Sequence, residues 1–386
     1  MSDYPVISWN EAGEEKSARW RAENSAPPPK QVVIADDRMT ADAAYRLACE
    51  GNALLWRGDF QNARHLLQAM ARRIDKKPRQ RKTRKMATAP TPTPVEAFHR
   101  HRLAQSQRAR TLSLLLLPFE AGHRIPLRRA PDVHSACLEA YGAGTEPYIA
   151  SLRELQGLIG AYEWRKKGVE VPALGARIHP YYGVFAPIRS EYVGLVAEAP
   201  LPELAMTQSS AFDIGTGTGV LAAVLARRGI QRIVATEQDL RALDCARENL
   251  TRLDLTAQVD LVQADLFPEG QASLIVCNPP WIPARPSSPL EYAVFDPESR
   301  MLRGFLSGLA AHLAPGGEGW LILSDLAEHL ELRTRAELLA AIDAAGLKVL
   351  SKSDVKPHHP RVSDTRDPLH AARAAELTSL WRLIAT

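Results

Sequence analysis

Long hydrophobic runs are missing from this sequence. The longest, Leu112 to Phe119, is broken by Ser113 and Pro118 and falls far short of the roughly 20 residues that span a bilayer. No membrane partner is expected. Met1-Ser2-Asp3-Tyr4-Pro5 has no basic stretch leading into an apolar core, so no secretory signal is read there. Cysteine is sparse as well: Cys49, Cys137, Cys245 and Cys277 are scattered without a CxxC pair, the usage of reduced thiols in a cytoplasmic protein rather than of disulfides or metal ligands. Internal repeats are absent. His358-His359 has no cysteine or carboxylate at ligand spacing and reads as solvated, so no metal site is assigned.

What is present is an ordinary globular composition, 45% hydrophobic and 24% charged, in a chain of 386 residues, long enough for more than one core. The net charge of +4 is unevenly spread. Arg72, Arg73, Lys76, Lys77, Arg79, Arg81, Lys82, Arg84 and Lys85 stand against the single acid Asp75, a block of +8 that leaves −4 for the remainder. The chain is a mildly acidic protein with one cationic segment, which is free to replace counterions on a polyanion; RNA or DNA is the partner this segment predicts.

The pattern divides the chain into three regions. Residues 1–94 begin loosely, around Pro27-Pro28-Pro29. Two helical stretches follow Thr40, one carrying Ala44, Leu47, Ala48, Leu54 and Leu55, the next Ala63, Leu66, Leu67 and Met70. They predict a helical hairpin, open to a helix-turn-helix reading, that ends in a basic and proline-rich linker over 72–94. Residues 95–180 read as a mainly helical accessory region. From 181 to 386 short β-branched runs alternate with helical stretches, which predicts a parallel sheet covered on both faces. Strands are expected near 211–214, 233–236, 259–263, 273–277, 320–324, 347–351 and 380–384, with helices over Val220–Arg228, Leu240–Leu253, Arg300–Leu313 and Thr334–Ala345. The fold class is therefore α/β, a Rossmann-like doubly wound sheet of seven strands, mostly parallel with the last antiparallel, beside a mainly helical N-terminal domain.

The first strand of that sheet runs into Asp213-Ile214-Gly215-Thr216-Gly217-Thr218-Gly219, and a helix starts at once. Glycines there let the backbone approach a ligand while the helix N-terminus offers free N–H groups. The second strand ends at Glu237, followed by Gln238; a carboxylate at that edge can accept hydrogen bonds from both hydroxyls of a ribose. After the third strand Asp265 can accept from an adenine amino group, and Leu266 can cover the ring. Each acid alone reads equally well as a solvated strand end, but the three follow in order, one per strand-to-helix loop.

The fourth strand ends in Asn278-Pro279-Pro280-Trp281. Two successive prolines cannot continue a sheet and make a stiff, extended loop. An amide or aromatic amino nitrogen is a poor nucleophile because its lone pair is delocalised. If the Asn278 side-chain oxygen and the Pro279 carbonyl each accept one N–H, the lone pair is drawn out of the plane, and Trp281 is expected to stack on the flat acceptor.

Residues 181–386 resemble the class I S-adenosylmethionine-dependent methyltransferases with N-P-P-[YFW] loops, a group that includes the release-factor glutamine and the adenine-N6 methyltransferases. Asp296-Pro297 through Leu302, Gly304, Gly308-Leu309 and Pro315-Gly316-Gly317 resemble the stretch that follows the loop in the glutamine enzymes, and Gly183-Val184-Phe185-Ala186-Pro187 resembles a segment that closes over the cofactor. The departures are Pro187-Ile188-Arg189-Ser190-Glu191, one residue out of step; Trp281 in place of Tyr; and an N-terminal region unlike theirs. The resemblance implies S-adenosyl-L-methionine as cofactor, held by Asp213, Gly215, Thr216, Gly217, Gly219, Glu237, Gln238, Asp265, Leu266 and Asn278, with Asn278, Pro279, Pro280 and Trp281 as the reactive loop. The expected acceptor is a nucleic-acid base amine; a protein glutamine amide is the alternative. A dinucleotide-dependent oxidoreductase has no use for the Asn-Pro-Pro-Trp loop, and intact acids argue against a non-catalytic nucleic-acid-binding relic.

Overall fold

The computed structural model of the protein describes residues 4–76, 92–188, 190–286, 289–358 and 364–386. The chain divides into two compact units, one of residues 1–91 and 99–163 and the other of 92–98 and 164–386. Regions drawn at 1–94 and 95–180 are not separate bodies in this division.

The N-terminal unit holds a sheet beside the helices expected of it. Six strands, β1 (Val6–Glu11), β2 (Glu14–Trp20), β3 (Gln31–Ala35), β4 (Asn52–Trp56), β5 (Leu115–Phe119) and β6 (Tyr148–Ser151), form one mixed sheet in the order β1-β2-β6-β5-β4-β3. The residues before Thr40, expected to be loose, hold three of these strands. Ala12 and Gly13, with φ of 55° and 85°, turn β1 into β2 as a two-residue hairpin whose twist suits the flanking strands. Leu54 and Leu55, expected on a helix, lie in β4, paired in parallel with β3 on one side and β5 on the other. The reason is burial: β5 is buried at every position and β4 at four of its five. A short strand covered on both faces loses the alternation that marks strands, so periodicity alone does not separate it from a helix. The helices Ala41–Cys49 and Phe60–Asp75 do form, capped by Thr40 and Asp59, whose side chains accept from the N–H groups of Ala43 and Gln61. Arg72 and Arg73 lie on the last turn of the second helix, and Arg73 pairs with Asp42 at 2.9 Å. Lys77, Arg79, Arg81, Lys82, Arg84 and Lys85 lie outside the described residues.

In the C-terminal unit, β7 (Val169–Val171) and β8 (Ala176–Ile178) form a small ribbon ahead of the main sheet. That sheet comprises β9 (Ser210–Ile214), β10 (Arg232–Glu237), β11 (Val259–Gln263), β12 (Ala272–Cys277), β13 (Leu313–Ser324), β14 (Leu347–Val355) and β15 (Thr378–Ala385), in the order β11-β10-β9-β12-β13-β15-β14. The expected seven strands are all there, five in parallel, and β15 runs antiparallel to both neighbours. Alternation explains why the sheet is covered twice. Leu274, Val276, Trp320 and Ile322 join the core under the helix Val220–Arg227, while Ile275, Cys277, Leu321 and Leu323 join a second core under Arg300–His312 and Arg335–Ala344. Strand order reverses at β9, between β10 and β12, which is where open α/β sheets leave a ligand crevice at the carboxyl ends of their strands.

Candidate active site

A cavity of about 510 Å³ opens at that reversal. Its floor is the turn after β9. The N–H groups of Gly215 and Thr216 both donate to the Thr236 carbonyl at 2.9 Å, pinning the turn to β10. Gly215 and Gly219 have φ of 72° and 81°, values that cost any residue with a Cβ, and both border a close approach: a Cβ on Gly215 would sit 2.5 Å from the Met301 Cε, and one on Gly219 3.4 Å from Ala246. Thr216 uses its hydroxyl inside the protein, donating to the Asp213 Oδ2 at 2.6 Å, and the Ala222 N–H donates to the same oxygen at 3.0 Å. Asp213 therefore braces the turn from behind and is not on the cavity wall.

The other Asp213 oxygen, Oδ1, is buried with no hydrogen-bond partner. Burial, with a smaller push from nearby Glu237, raises this carboxyl from an ordinary 3.8 to about 6 against the lowering effect of the Thr216 and Ala222 hydrogen bonds. Folding thus favours the protonated form. Its contribution to stability is full below about 3.8 and is lost as pH rises through about 6, a loss of about 3 kcal/mol at roughly 1.4 kcal/mol per unit. Asp213→Asn keeps an acceptor for Thr216 and Ala222 and removes the titration. Thermal melts of the ligand-free protein should therefore separate between about pH 4 and 7, the wild type losing stability relative to the variant as pH rises. Parallel curves would remove Asp213 as the titrating group.

Glu237, at the end of β10, lies on the cavity wall beside Gln238 and Asp239. Its Oε2 accepts from the Gly217 N–H at 3.2 Å, and its Oε1 accepts from the N–H groups of Gln238 and Asp239 at 2.9 and 3.2 Å. Three backbone donors aim the carboxylate and hold it still; burial nonetheless raises its pKa. Asp265, after β11, also lines the cavity, is exposed, and pairs with Arg300 across the mouth. Leu266 follows with φ of 76°, its carbonyl accepting from the Thr236 hydroxyl at 2.6 Å. Gly304 and Gly308 make room for this loop: a Cβ at either position would fall 2.5 Å from the Leu266 or Phe267 side chain.

The loop after β12 brings Asn278 and Pro280 to the same cavity, whereas Pro279 and Trp281 do not line it. Trp281 is half-buried and packs against three apolar clusters of the unit. Its indole N–H donates to the Asn278 Oδ1 at 2.9 Å. An indole nitrogen only donates, so this contact fixes which end of the Asn278 amide is oxygen and leaves that oxygen a second lone pair. Among the residues that sequence reasoning did not assign to the site are Tyr192, Asp239, Tyr292, Arg300 and Met301. Arg300 had a signal, its position at the start of the helix after the loop, but surface arginines are usually solvated. Tyr292 had none.

Residues 183–337 match the family model described as methyltransferase small domain. That stretch, about two fifths of the chain, is similar to a methyltransferase small domain. It contains the glycine turn, the three acids and the Asn-Pro-Pro-Trp loop. The chain is 33% identical over 196 residues to the release factor glutamine methyltransferase of Cereibacter sphaeroides, covering 48% of this chain and 65% of that protein. To the ribosomal protein L11 methyltransferase of Pelotomaculum thermopropionicum it is 35% identical over 145 residues, 37% of this chain and 39% of that one. The corresponding protein of Symbiobacterium thermophilum is 41% identical over 78 residues, 20% and 26% of the two chains. The match spans less than two thirds of the length of each of these relatives. No helix among the described residues is long and apolar enough to cross a membrane, and no group of metal-ligating side chains occurs among them.

Proposed function

We propose that the protein is an S-adenosylmethionine-dependent N-methyltransferase whose acceptor is a planar nitrogen, the side-chain amide of a glutamine in a protein partner. The observation that carries the reading is that Asn278 and Pro280 border the same cavity as the glycine turn and Glu237, so that a methyl donor and an acceptor nitrogen meet in one place. The cavity suits this donor. Glu237 offers a held carboxylate for ribose hydroxyls, and Asp265 an acceptor for a base amine once Arg300 gives way. S-adenosylmethionine supplies a methyl group made electrophilic by its sulfonium.

The chain's part is to orient the acceptor. The free lone pair of the Asn278 Oδ1, on the cavity wall, accepts one N–H of the amide, which helps turn its nitrogen lone pair out of conjugation. Trp281 steadies Asn278 from behind. No strong base would be needed, because the nitrogen becomes acidic only as the methyl arrives, its proton passing to solvent and the thioether S-adenosylhomocysteine leaving. The names of the relatives, a release factor and a ribosomal protein methyltransferase, support a protein acceptor. A second reading, a nucleic-acid base amine, is supported by the cationic segment Arg72 to Lys85.

The test incubates the full chain with labelled methyl donor and fractionated protein, RNA and DNA. Label should appear in protein, on glutamine. Label confined to nucleic acid would overturn the amide and establish the second reading, under which affinity falls log-linearly with salt and neutralising five of the nine cations flattens that slope. Under the amide reading the same neutralised variant should methylate within about twofold of wild type, since no described residue of the cationic segment is among those that line the cavity.

A further inference from the structure

We propose that Tyr292, and not Trp281, is the ring laid against the flat acceptor group. This rests on the planar-nitrogen reading and deepens it. A planar acceptor that must present its nitrogen in one orientation needs a surface that stops it rotating, and an aromatic face supplies that surface. Trp281 is not available for it, since its ring is packed into the apolar clusters and its N–H is engaged with Asn278. Among the described residues, three aromatics line the cavity, Phe185, Tyr192 and Tyr292. Tyr192 is 4% exposed, and Phe185 is half-buried against the core. Tyr292 is 66% exposed.

Its position is not that of a ring adrift on a surface loop. Tyr292 sits in the short turn Pro289–Ala293, in the connection that leaves the Asn-Pro-Pro-Trp loop and returns to it. The return is fastened beside Trp281. Ile282 pairs with Phe295, the Asp296 N–H donates to the Ile282 carbonyl at 2.9 Å, and the N–H groups of Val294 and Phe295 donate to the Glu291 carbonyl at 3.0 and 2.9 Å. Ile282 is itself buried against Leu326, Leu330 and Leu369. The loop that fixes Asn278 and the turn that carries Tyr292 are thus one braced unit, so the accepting oxygen and the ring keep a set relation to each other. One loop orients the nitrogen; the next supplies the face.

The experiment compares wild type, Tyr292→Ala, Tyr292→Phe and Trp281→Phe as full chains, with two acceptor probes, an Ala-Gln-Ala peptide and a short oligoadenylate, and with S-adenosylhomocysteine binding by calorimetry. With the peptide, Tyr292→Ala should raise KM about tenfold, the scale of one lost stacking partner, while Tyr292→Phe stays within about twofold. S-adenosylhomocysteine affinity should not move in either. Trp281→Phe should lower kcat and leave KM alone. A wild-type KM in Tyr292→Ala overturns the assignment, as does a loss of S-adenosylhomocysteine affinity in step with KM, which would make the ring a cover for the cofactor. Methylation of oligoadenylate alone, with the same dependence on Tyr292, upholds the ring's role and moves the acceptor to a base. A wild type that methylates neither probe overturns the planar-nitrogen reading and the role of Tyr292 together, a failure distinguishable from that of an indifferent Tyr292 in an active enzyme.

Discussion

Asn278→Ala should bind the methyl donor as wild type does and turn over about a hundredfold more slowly or worse, the loss that follows removal of one preorganised hydrogen-bonding group at a reacting centre. The separation of binding from chemistry comes from geometry. The Asn278 side chain engages Trp281 and the cavity but no residue of the glycine turn, while the turn and Glu237 are held by their own hydrogen bonds to β10 and to backbone N–H groups. Removing the amide leaves that frame intact. Steady-state rates with labelled donor, set beside calorimetric binding of S-adenosylhomocysteine, read the two separately.

Trp281→Phe refines the same expectation. It removes the indole N–H and keeps a ring in the apolar seam, so Asn278 remains but is free to turn its amide over. A loss of about tenfold in kcat is expected, matching one ordinary hydrogen bond of roughly 1–1.5 kcal/mol. The loss should vanish in an Asn278→Ala background, because Trp281 then has nothing left to orient. Near-normal turnover in a folded Asn278→Ala protein would take the residue out of the mechanism, and an additive double variant would give Trp281 a separate role.

How much of this was legible in the residues depends on what each element had to hide. The C-terminal sheet could be read because its strands end in diagnostic chemistry: glycines where the chain must turn with positive φ, an acid at the edge of β10, two prolines where β12 must stop. Its helices appear within a residue or two of expectation, as with Leu240–Arg252 and Arg335–Ala344. The N-terminal sheet could not. β4 and β5 are apolar nearly throughout, and β2 is exposed or half-exposed at six of its seven positions, so neither kind carries a period of two. Gly304 and Gly308 look like unexplained weak points in the sequence of a helix; the structure gives them a cause, the nearness of Leu266 and Phe267.

The direction in which Trp281 turns is a different kind of question. Sequence placed the ring on the right loop, but whether a side chain turns into the core or toward a ligand depends on which neighbours leave a hole. The cluster it packs against includes Phe98, Leu326 and Leu369, which come from separate stretches of the chain. Tyr292 was hidden for the same reason. Nothing near it in the sequence says that the connection returns to Ile282, and that return is what brings the ring to the cavity.

Glu237→Ala should weaken donor binding by about 1.5–3 kcal/mol, roughly ten- to 150-fold in Kd, since one charged acceptor is expected to serve two hydroxyls. The carboxylate does more than meet a ligand. It ties the Gly217 N–H and those of Gln238 and Asp239 together, so alanine loses the acceptor and also loosens the turn. Glu237→Gln divides these effects: its amide oxygen can still take a backbone N–H while the charge is gone, and its loss should fall between wild type and alanine. The pH dependence has a sign. Burial raises the Glu237 pKa above its ordinary value, so the form that accepts best is lost sooner than for an exposed glutamate, and affinity should fall as the pH drops through that raised value. Glu237→Gln should not show this fall. Titration of S-adenosylhomocysteine by calorimetry across the acid range measures all three proteins. Unchanged affinity in Glu237→Ala, or tight binding of a nicotinamide dinucleotide by the wild type, would mean that the acid at the end of β10 reads a different ligand, and the methyl-donor assignment of this cavity would fall with it.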